Sequence, residues 1–286
     1  MQTKNRFQWF WGCCLFLLLA SPGFAQIAPE CEGVAVPADY EESKQQAFMQ
    51  NYFAASFLMT PMGPILPYEP GHAGIGLELG AIPPLSCEQR LVLGGTKTED
   101  TNGVPVHPRP RLMMSLPDIG PVSSFAGLTV MPPIRSPFGT MLQAGAEAGV
   151  GWRSSFGLSL GLRAHLNFGR MRAEIATPFA EGDPAVDDLF FSSTLGGDLG
   201  AAYQLPWQGW QWLRPYLSVG IADVSTLFII GDDAVLVENT DHPWWGPTFA
   251  AGTQTRFLDG HLEWVVEVSS AFPVLTTAKT KIGVVW

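Results

Sequence analysis

One aspartate–histidine pair and one pair of adjacent acids are the residues whose types and spacing could support catalysis. Asp241 is adjacent to His242, and Glu99 is adjacent to Asp100 in an earlier polar connector. An aspartate that holds a histidine can prepare the imidazole as a general base. No recognisable Ser/His motif of a lipid hydrolase accompanies these residues. We therefore expect a protein that is not an enzyme and that needs no cofactor.

Two segments are rich in carboxylates and contain no Lys or Arg. Thr177–Leu189 and Gly231–Gly246 each hold four acidic residues. Oxygen-rich acidic loops can bind calcium. Neither segment matches a defined calcium-binding loop, so we interpret both as solvated surface charge and expect no metal site.

The first 25 residues have the features of a secretory signal peptide. Lys4 and Arg6 precede the short apolar stretch Trp11–Ala20, and small residues follow at Gly23–Ala25. Cleavage would leave 14 basic and 26 acidic residues, a net charge of −12. Phosphate binding needs a basic surface, so nucleic acid is not expected as a partner.

Two cysteines remain after the predicted signal peptide, Cys31 and Cys87. An even pair in an exported protein predicts a disulfide. Neither cysteine has a nearby Cys or His partner, which argues against a zinc site.

The segment Phe156–Phe168 indicates how the rest of the chain folds. Every second residue is apolar, and the residues between them are polar or glycine. Successive side chains of a strand point to opposite faces, so this strand has one wholly apolar face. Soluble strands usually stop after about 5–6 residues, whereas about 9–11 tilted residues cross a bilayer. We interpret the segment as a transmembrane β-strand with aromatic residues at both ends.

The composition agrees with many alternating strands. The chain of 286 residues is 47% hydrophobic and only 15% charged, against about 25% charged in soluble domains. No window holds the ~18 consecutive apolar residues of a membrane helix. A large soluble β-sandwich is the structural alternative. We predict ten strands, at about 72–82, 109–116, 122–131, 141–152, 156–168 (continuing as far as 175), 191–204, 212–223, 248–257, 261–270 and 279–286.

The predicted connectors alternate in length. The segments 118–121, 153–155, 205–211 and 258–260 are short, and those at 83–108, 132–140, 176–190 and 231–247 are mostly longer. Bacterial barrels place short turns in the periplasm and long loops outside. Most of the aromatic residues at strand ends fall on the predicted periplasmic side: Trp152, Phe156, Tyr203, Trp207, Trp210, Trp212, Phe257, Trp264 and Trp286.

Residues 26–71 form a separate N-terminal region before the barrel at 72–286. Residues 39–58 are rich in helix formers and carry acids near their start, which predicts a helix. The helix could plug the barrel, cover its periplasmic mouth or lie on the membrane. The predicted fold is thus all-β, a transmembrane antiparallel β-barrel of about ten strands with a short N-terminal helix.

The polar faces of the predicted strands would line the lumen. They carry six cations and five acids, and such charges must be paired or hydrated. Nearly equal numbers of cations and acids inside a narrow ten-stranded barrel predict a salt-bridged, largely closed interior. The predicted lumen residues are Glu78, Arg109, Arg111, Glu147, Arg163, His165, Asp198, Arg214, Gln254, Arg256, Glu263, Glu267 and Lys281.

The last six residues, Lys281–Trp286, resemble the C-terminal signal of bacterial outer-membrane β-barrels. Lys281 is the polar residue of that pattern, Gly283 the glycine and Trp286 the terminal aromatic residue. The resemblance implies recognition by the barrel assembly machinery and location in the outer membrane, among its lipids and lipopolysaccharide. The resemblance is to this class of proteins as a whole and to no particular subfamily. Some ten-stranded members are omptin-type proteases, but the spacing around Asp241–His242 differs from theirs and the surrounding motifs are absent.

The expected function is therefore a structural or surface-interaction role. The alternative is a passive pore or transporter for small or hydrophobic solutes, plugged by the N-terminal helix. The remote alternative is a rim-located omptin-like protease. If the register of the fifth strand continues, Arg170 and Arg172 face outward at the level of lipopolysaccharide phosphates; a β-bulge would instead turn them inward.

The predicted disulfide conflicts with this topology. Cys31 precedes a periplasmic start of the barrel, whereas Cys87 lies in the first outer loop. Either the helix threads the lumen and carries Cys31 outward, or the first hairpin is misplaced and Cys87 is periplasmic.

Overall fold

The computed structural model describes residues 27–57, 61–99, 105–136, 139–176, 186–205, 213–231, 235–238 and 244–286. The predicted signal peptide lies outside these ranges. Asp100, Asp241 and His242 also lie outside them, as do Trp207, Trp210 and Trp212.

The described chain contains a 3₁₀ turn at Pro29–Cys31, two α-helices and thirteen strands. The helices are α1 (Glu42–Phe57) and α2 (Cys87–Arg90). The strands are β1 (Ala73–Ala81), β2 (Leu91–Val92), β3 (Lys97–Thr98), β4 (Val106–Ser115), β5 (Val122–Ser136), β6 (Gly139–Arg153), β7 (Leu158–Ala173), β8 (Asp188–Tyr203), β9 (Arg214–Ile230), β10 (Val235–Glu238), β11 (Trp244–Phe257), β12 (Leu262–Ala271) and β13 (Leu275–Val285).

Ten of these strands close into one antiparallel barrel. The order is β1-β4-β5-β6-β7-β8-β9-β11-β12-β13, and β13 pairs with β1 to complete the ring. Glu78 of β1 is paired with Arg109 on one side and Lys281 on the other. β10 adds to β9 where β9 extends past β11, and β2 and β3 form a small hairpin. The predicted ten-stranded barrel is confirmed, and the sandwich alternative is wrong.

The two ends of the barrel have different connectors. At one end, the turn end, the connectors are residues 116–121, 154–157, 204–213 and 258–261. At the other, the loop end, they include residues 82–105, 174–187 and 231–243. The predicted loop at 132–140 is wrong, because β5 extends to Ser136 and β6 begins at Gly139. Two prolines fall where the register shifts between Met131 and Ile134, and a bulge can accommodate them.

Alternation along the strands separates the exterior from the interior. On β7, Leu160, Leu162 and Phe168 are exposed, whereas Arg163 and His165 are buried. The same pattern in the other strands gives the barrel a continuous belt of exposed Leu, Ile, Val and Phe. Such a large exposed apolar surface marks a membrane or protein contact.

The register of β7 continues without a bulge beyond Phe168. Arg170 and Arg172 are both exposed on the outward face, and β7 stays paired with β8 as far as Ala173. Of the two predicted arrangements, the outward one is therefore correct.

The interior of the barrel is filled by the chain that precedes β1. Helix α1 packs inside the loop end, where Met49, Tyr52 and Ala55 join a cluster with Phe190 and Trp244. Residues 61–68, the lumen segment, run from there to the turn end. Met62 packs against Tyr216 and Val265, and Ile65, Leu66 and Tyr68 pack against Met113, Phe125 and Val285. Neither helix in the described part of the chain has the length and apolarity to cross a bilayer.

Candidate functional site: the occupied lumen

The structure places every predicted lumen residue on the inward face. Arg256 is half-buried, and the others are less than 9% exposed. The inward side chains absent from the predicted set include His107, Gln143 and Lys279. Lys279 is two residues before Lys281 and therefore faces the same side of the strand. It was the first residue of the predicted tenth strand. His107 preceded the predicted start of its strand.

Arg111 lies at the centre of the largest ion-pair cluster. Its Nη1 is 2.8 Å from Glu78 Oε1, and its Nε donates to Glu147 Oε1 at 2.5 Å. Arg109 binds the other oxygen of Glu78, with Nε 2.7 Å from Oε2. Arg163 extends the cluster, because its Nη1 is 4.0 Å from Glu147 Oε2 and its Nε donates to Asp198 Oδ2 at 2.9 Å. This cluster connects β1, β4, β6, β7 and β8 across the lumen.

Two smaller clusters each centre on a glutamate of β12. Glu263 contacts Lys281 Nζ at 3.0 Å and accepts hydrogen bonds from Tyr68 Oη and Gln254 Nε2. Glu267 contacts Lys279 Nζ at 2.7 Å. Glu267 also accepts from Tyr216 Oη and from the Gly63 backbone N–H, so the barrel wall holds the lumen segment directly.

Lys279 raises the cations of the predicted lumen set from six to seven, against five acids. Two of the lumen arginines, Arg214 and Arg256, form no ion pair with a described carboxylate and bind backbone carbonyls of the lumen segment instead. Arg214 Nη1 donates to Leu66 O at 2.7 Å, and Arg256 Nη2 donates to Pro67 O at 2.8 Å. Carbonyl dipoles thus satisfy the excess positive charge.

Four more contacts bind the lumen segment along its length. Arg111 donates to the Met62 carbonyl and Arg163 Nη1 to the Gly63 carbonyl. At the turn end, Arg153 and Ser115 Oγ donate to the Tyr68 carbonyl. The sequence placed these residues in the N-terminal region before the barrel and predicted no role for them.

A cap covers the loop end; we define it as residues 27–57 together with residues 82–99. Cys31 and Cys87 form a disulfide with Cα atoms 5.4 Å apart. Arg90 pairs with Glu30, and Tyr52 Oη donates to the Pro83 carbonyl. The chain therefore passes through the barrel before entering β1, which places Cys31 beside Cys87. The second resolution of the conflict, a misplaced first hairpin, is wrong. The first is correct in placing Cys31 at the loop end, but residues 61–68 rather than the helix run through the lumen to the turn end.

Glu42 joins the start of α1 to the turn between β2 and β3. Burial raises the pKa of this carboxyl, but hydrogen bonds from Tyr40 Oη and the Gly94 and Leu93 N–H groups outweigh it and hold the pKa below its ordinary value. Glu42 is therefore ionised at neutral pH. In that form it accepts from both backbone N–H groups.

Removal of the disulfide is expected to loosen the cap and leave the barrel intact. The disulfide closes a loop across a sequence separation of 56. The paired change Cys31→Ser and Cys87→Ser should therefore lower the free energy of unfolding of the cap by about 2–4 kcal/mol. Limited proteolysis should cut residues 27–57 faster in this variant than in the wild type. Reduced wild-type protein is the matched control and should be cut at the same rate as the variant. Unchanged resistance in both samples would contradict this account.

The interior does not form an accessible catalytic site in the described residues. His165 Nε2 is 3.9 Å from Asp198 Oδ2, yet both side chains are enclosed and Asp198 is engaged by Arg163. His107 Nε2 lies 3.0 Å from Gln143 Oε1. No group of three or more potential metal ligands occurs among the described residues.

The predicted C-terminal signal lies on the seam that closes the barrel. Lys281 points inward to Glu263, and Trp286 is exposed at the turn end. Gly283 faces Gly76 of β1, where a Cβ atom would come within 2.7 Å of the Ile75 carbonyl oxygen. The close approach of β1 and β13 therefore requires glycine here.

The exterior of the barrel has an apolar belt between two groups of exposed aromatic side chains. Exposed aromatic side chains surround the turn end, and the apolar belt separates them from Phe168, Trp245 and Phe272 at the loop end. A charged interior inside an apolar belt is the reverse of a soluble protein. The chain has the architecture of an outer-membrane β-barrel. The described aromatic residues at the turn end are Trp152, Phe156, Tyr203, Phe257, Trp264 and Trp286.

No protein-family model matches the chain, and no curated protein matches it in sequence. Among solved structures it is similar to the Pseudomonas putida toluene transporter TodX, with 13% identity, a TM-score of 0.33, and coverage of 76% of this chain and 67% of that one. It is also similar to the translocator domain of the autotransporter NalP from Neisseria meningitidis, with 9% identity, a TM-score of 0.38, and coverage of 85% of this chain and 96% of that one. The third is the attachment invasion locus protein Ail of Yersinia pestis, with 8% identity, a TM-score of 0.33, and coverage of 76% of this chain and 100% of that one. Values this low do not indicate what the chain binds or transports.

Proposed function

We propose that the protein is a closed outer-membrane barrel that presents its cap at the cell surface as an interaction surface. The observation that carries this proposal is the lumen segment, which crosses the interior and is bound by side chains at both ends. Bacterial barrels place long loops outside, so the loop end and its cap face the exterior of the cell. Insertion would rest on the barrel assembly machinery acting on the C-terminal signal.

The exposed surface of the cap is acidic. Glu32, Asp39, Glu41 and Glu88 are exposed. Among its basic residues Lys44 is exposed and paired with Glu41, whereas Arg90 and Lys97 are buried and paired with Glu30 and Glu99. A cationic partner surface fits this charge pattern, since complementary charge steers association.

A gated transporter is the second candidate, and one cavity favours it. A cavity of about 110 Å³ lies between α1 and the barrel wall, lined by side chains that include Met49, Phe53, Phe190 and Phe228. An apolar cavity of about 150 Å³ in another protein binds benzene. A small apolar solute could therefore lodge beneath α1 if the helix moved.

Planar-bilayer recording of the full chain distinguishes the two. The closed barrel should show no steady conductance. It should stay silent after reduction of the disulfide, because the lumen segment remains bound by Arg111, Arg214 and Arg256. Steady conductance on the scale of a general porin would contradict the closed lumen. Passage of a small apolar solute into protein-containing vesicles, compared with vesicles that lack protein, would favour the transporter.

A further inference from the structure

The outward face of β6–β9 contains a depression of about 470 Å³ at the loop end of the apolar belt. Phe168 is paired with Ser193, which is in turn paired with Ser225; these two serines occupy lipid-facing positions that elsewhere hold large apolar residues. The next row toward the loops holds Arg170, Phe191 and Leu227. Small polar side chains between large apolar ones thus leave both space and hydrogen-bonding groups.

Arg170 supplies a positive charge at the edge of this depression. Its guanidinium carbon lies 5.7 Å from the centre of the Phe191 ring, a cation–π distance that holds the group near the depression. The neighbouring Arg172 is neutralised by Asp187, at 2.9 Å. Arg170 forms no ion pair with a carboxylate of the described residues. The outward carboxylate of Asp223 lies two rows nearer the turn end.

The position of this site defines the ligand that fits it. An arginine at the boundary of the apolar belt lies where the phosphates of lipid headgroups are found, and its guanidinium can bind phosphate through two hydrogen bonds. The apolar walls below it suit an acyl chain. We propose that this depression binds a phosphorylated glycolipid of the outer leaflet, with the phosphate on Arg170 and an acyl chain against Phe168 and Phe191. This inference rests on the proposed orientation of the loop end toward the cell exterior.

Native mass spectrometry of the full chain in detergent tests the site. The probes are lipid A and the same glycolipid after removal of its phosphates. The wild-type chain should bind the phosphorylated form about tenfold more tightly, as expected for one charged hydrogen-bonded contact. Arg170→Gln should abolish this preference, and Arg170→Lys should retain part of it because the charge remains.

Lys44→Gln is the matched control, because it removes one exposed cation from the cap, far from the depression. It should keep the full preference for the phosphorylated form. Equal binding of the two lipids by the wild-type chain, or an equal loss in the Arg170→Gln and Lys44→Gln variants, would overturn the proposal. Binding in detergent does not depend on a closed lumen, so failure here is distinguishable from failure of the proposed function.

Discussion

Replacement of Arg111 by methionine is expected to lower the free energy of unfolding by about 3–5 kcal/mol. Arg111 binds Glu78 and Glu147, and it also donates to the Met62 carbonyl. Its loss leaves two buried carboxylates short of positive charge and removes one contact to the lumen segment. Urea titration of the refolded protein in lipid vesicles, followed by tryptophan fluorescence, measures the change.

Arg172→Met is the matched control for this substitution. Arg172 also pairs with an acid, but both side chains of that pair are about half exposed or more, so the loss should be at most about 1 kcal/mol. The double change Arg111→Met with Glu147→Met should be less harmful than Arg111→Met alone, because it removes one uncompensated charge. Equal effects of Arg111→Met and Arg172→Met would show that the lumen network does not stabilise the barrel.

Replacement of Leu162 by arginine is expected to destabilise the inserted barrel by about 2–4 kcal/mol, the cost of a cation near the bilayer midplane. Leu162 is exposed on the outward face of β7 and is paired with Val150 and Leu199, which also face outward. The same urea titration in vesicles measures this cost.

Ile119→Arg provides the control at the turn end. Ile119 is 81% exposed in the turn at 116–121, so arginine there should cost about 0–1 kcal/mol. Ser159, an inward residue of the same strand as Leu162, does not provide a control. Its Oγ accepts a hydrogen bond from Arg214 Nη2 at 2.6 Å, so an arginine there would lie against the Arg214 guanidinium. Equal costs at Leu162 and Ile119 would mean that depth in a bilayer does not matter for this chain.

The barrel wall could be predicted because the two faces of each strand have different surroundings. The alternation at Leu160–Phe168 reflects an apolar exterior and a polar interior, and parity then assigned Arg163 and Asp198 to the lumen. The same logic did not extend to strand ends. It placed a loop at 132–140, a segment with two prolines near its start, although the register shift between Met131 and Ile134 accommodates these prolines within the strand.

The contents of the lumen could not be predicted in the same way. The lumen segment is held mainly through backbone carbonyls of residues such as Leu66 and Pro67. Every residue carries a carbonyl, so no pattern of residue types marks this role. The excess of lumen cations over acids was the available signal. The omission of Lys279 concealed part of it, because six cations against five acids suggested near balance.

The side of the membrane on which the cap lies tests the central claim most directly. A short epitope inserted between Ala38 and Asp39, which are exposed in the cap, should bind antibody on intact cells, because the chain passes through the barrel to the loop end. The same epitope after Ser155, in an exposed turn at the other end, should bind only after the outer membrane is permeabilised. The reverse pattern, or access to both epitopes only after permeabilisation, would contradict a chain that crosses the lumen to cap the barrel from outside.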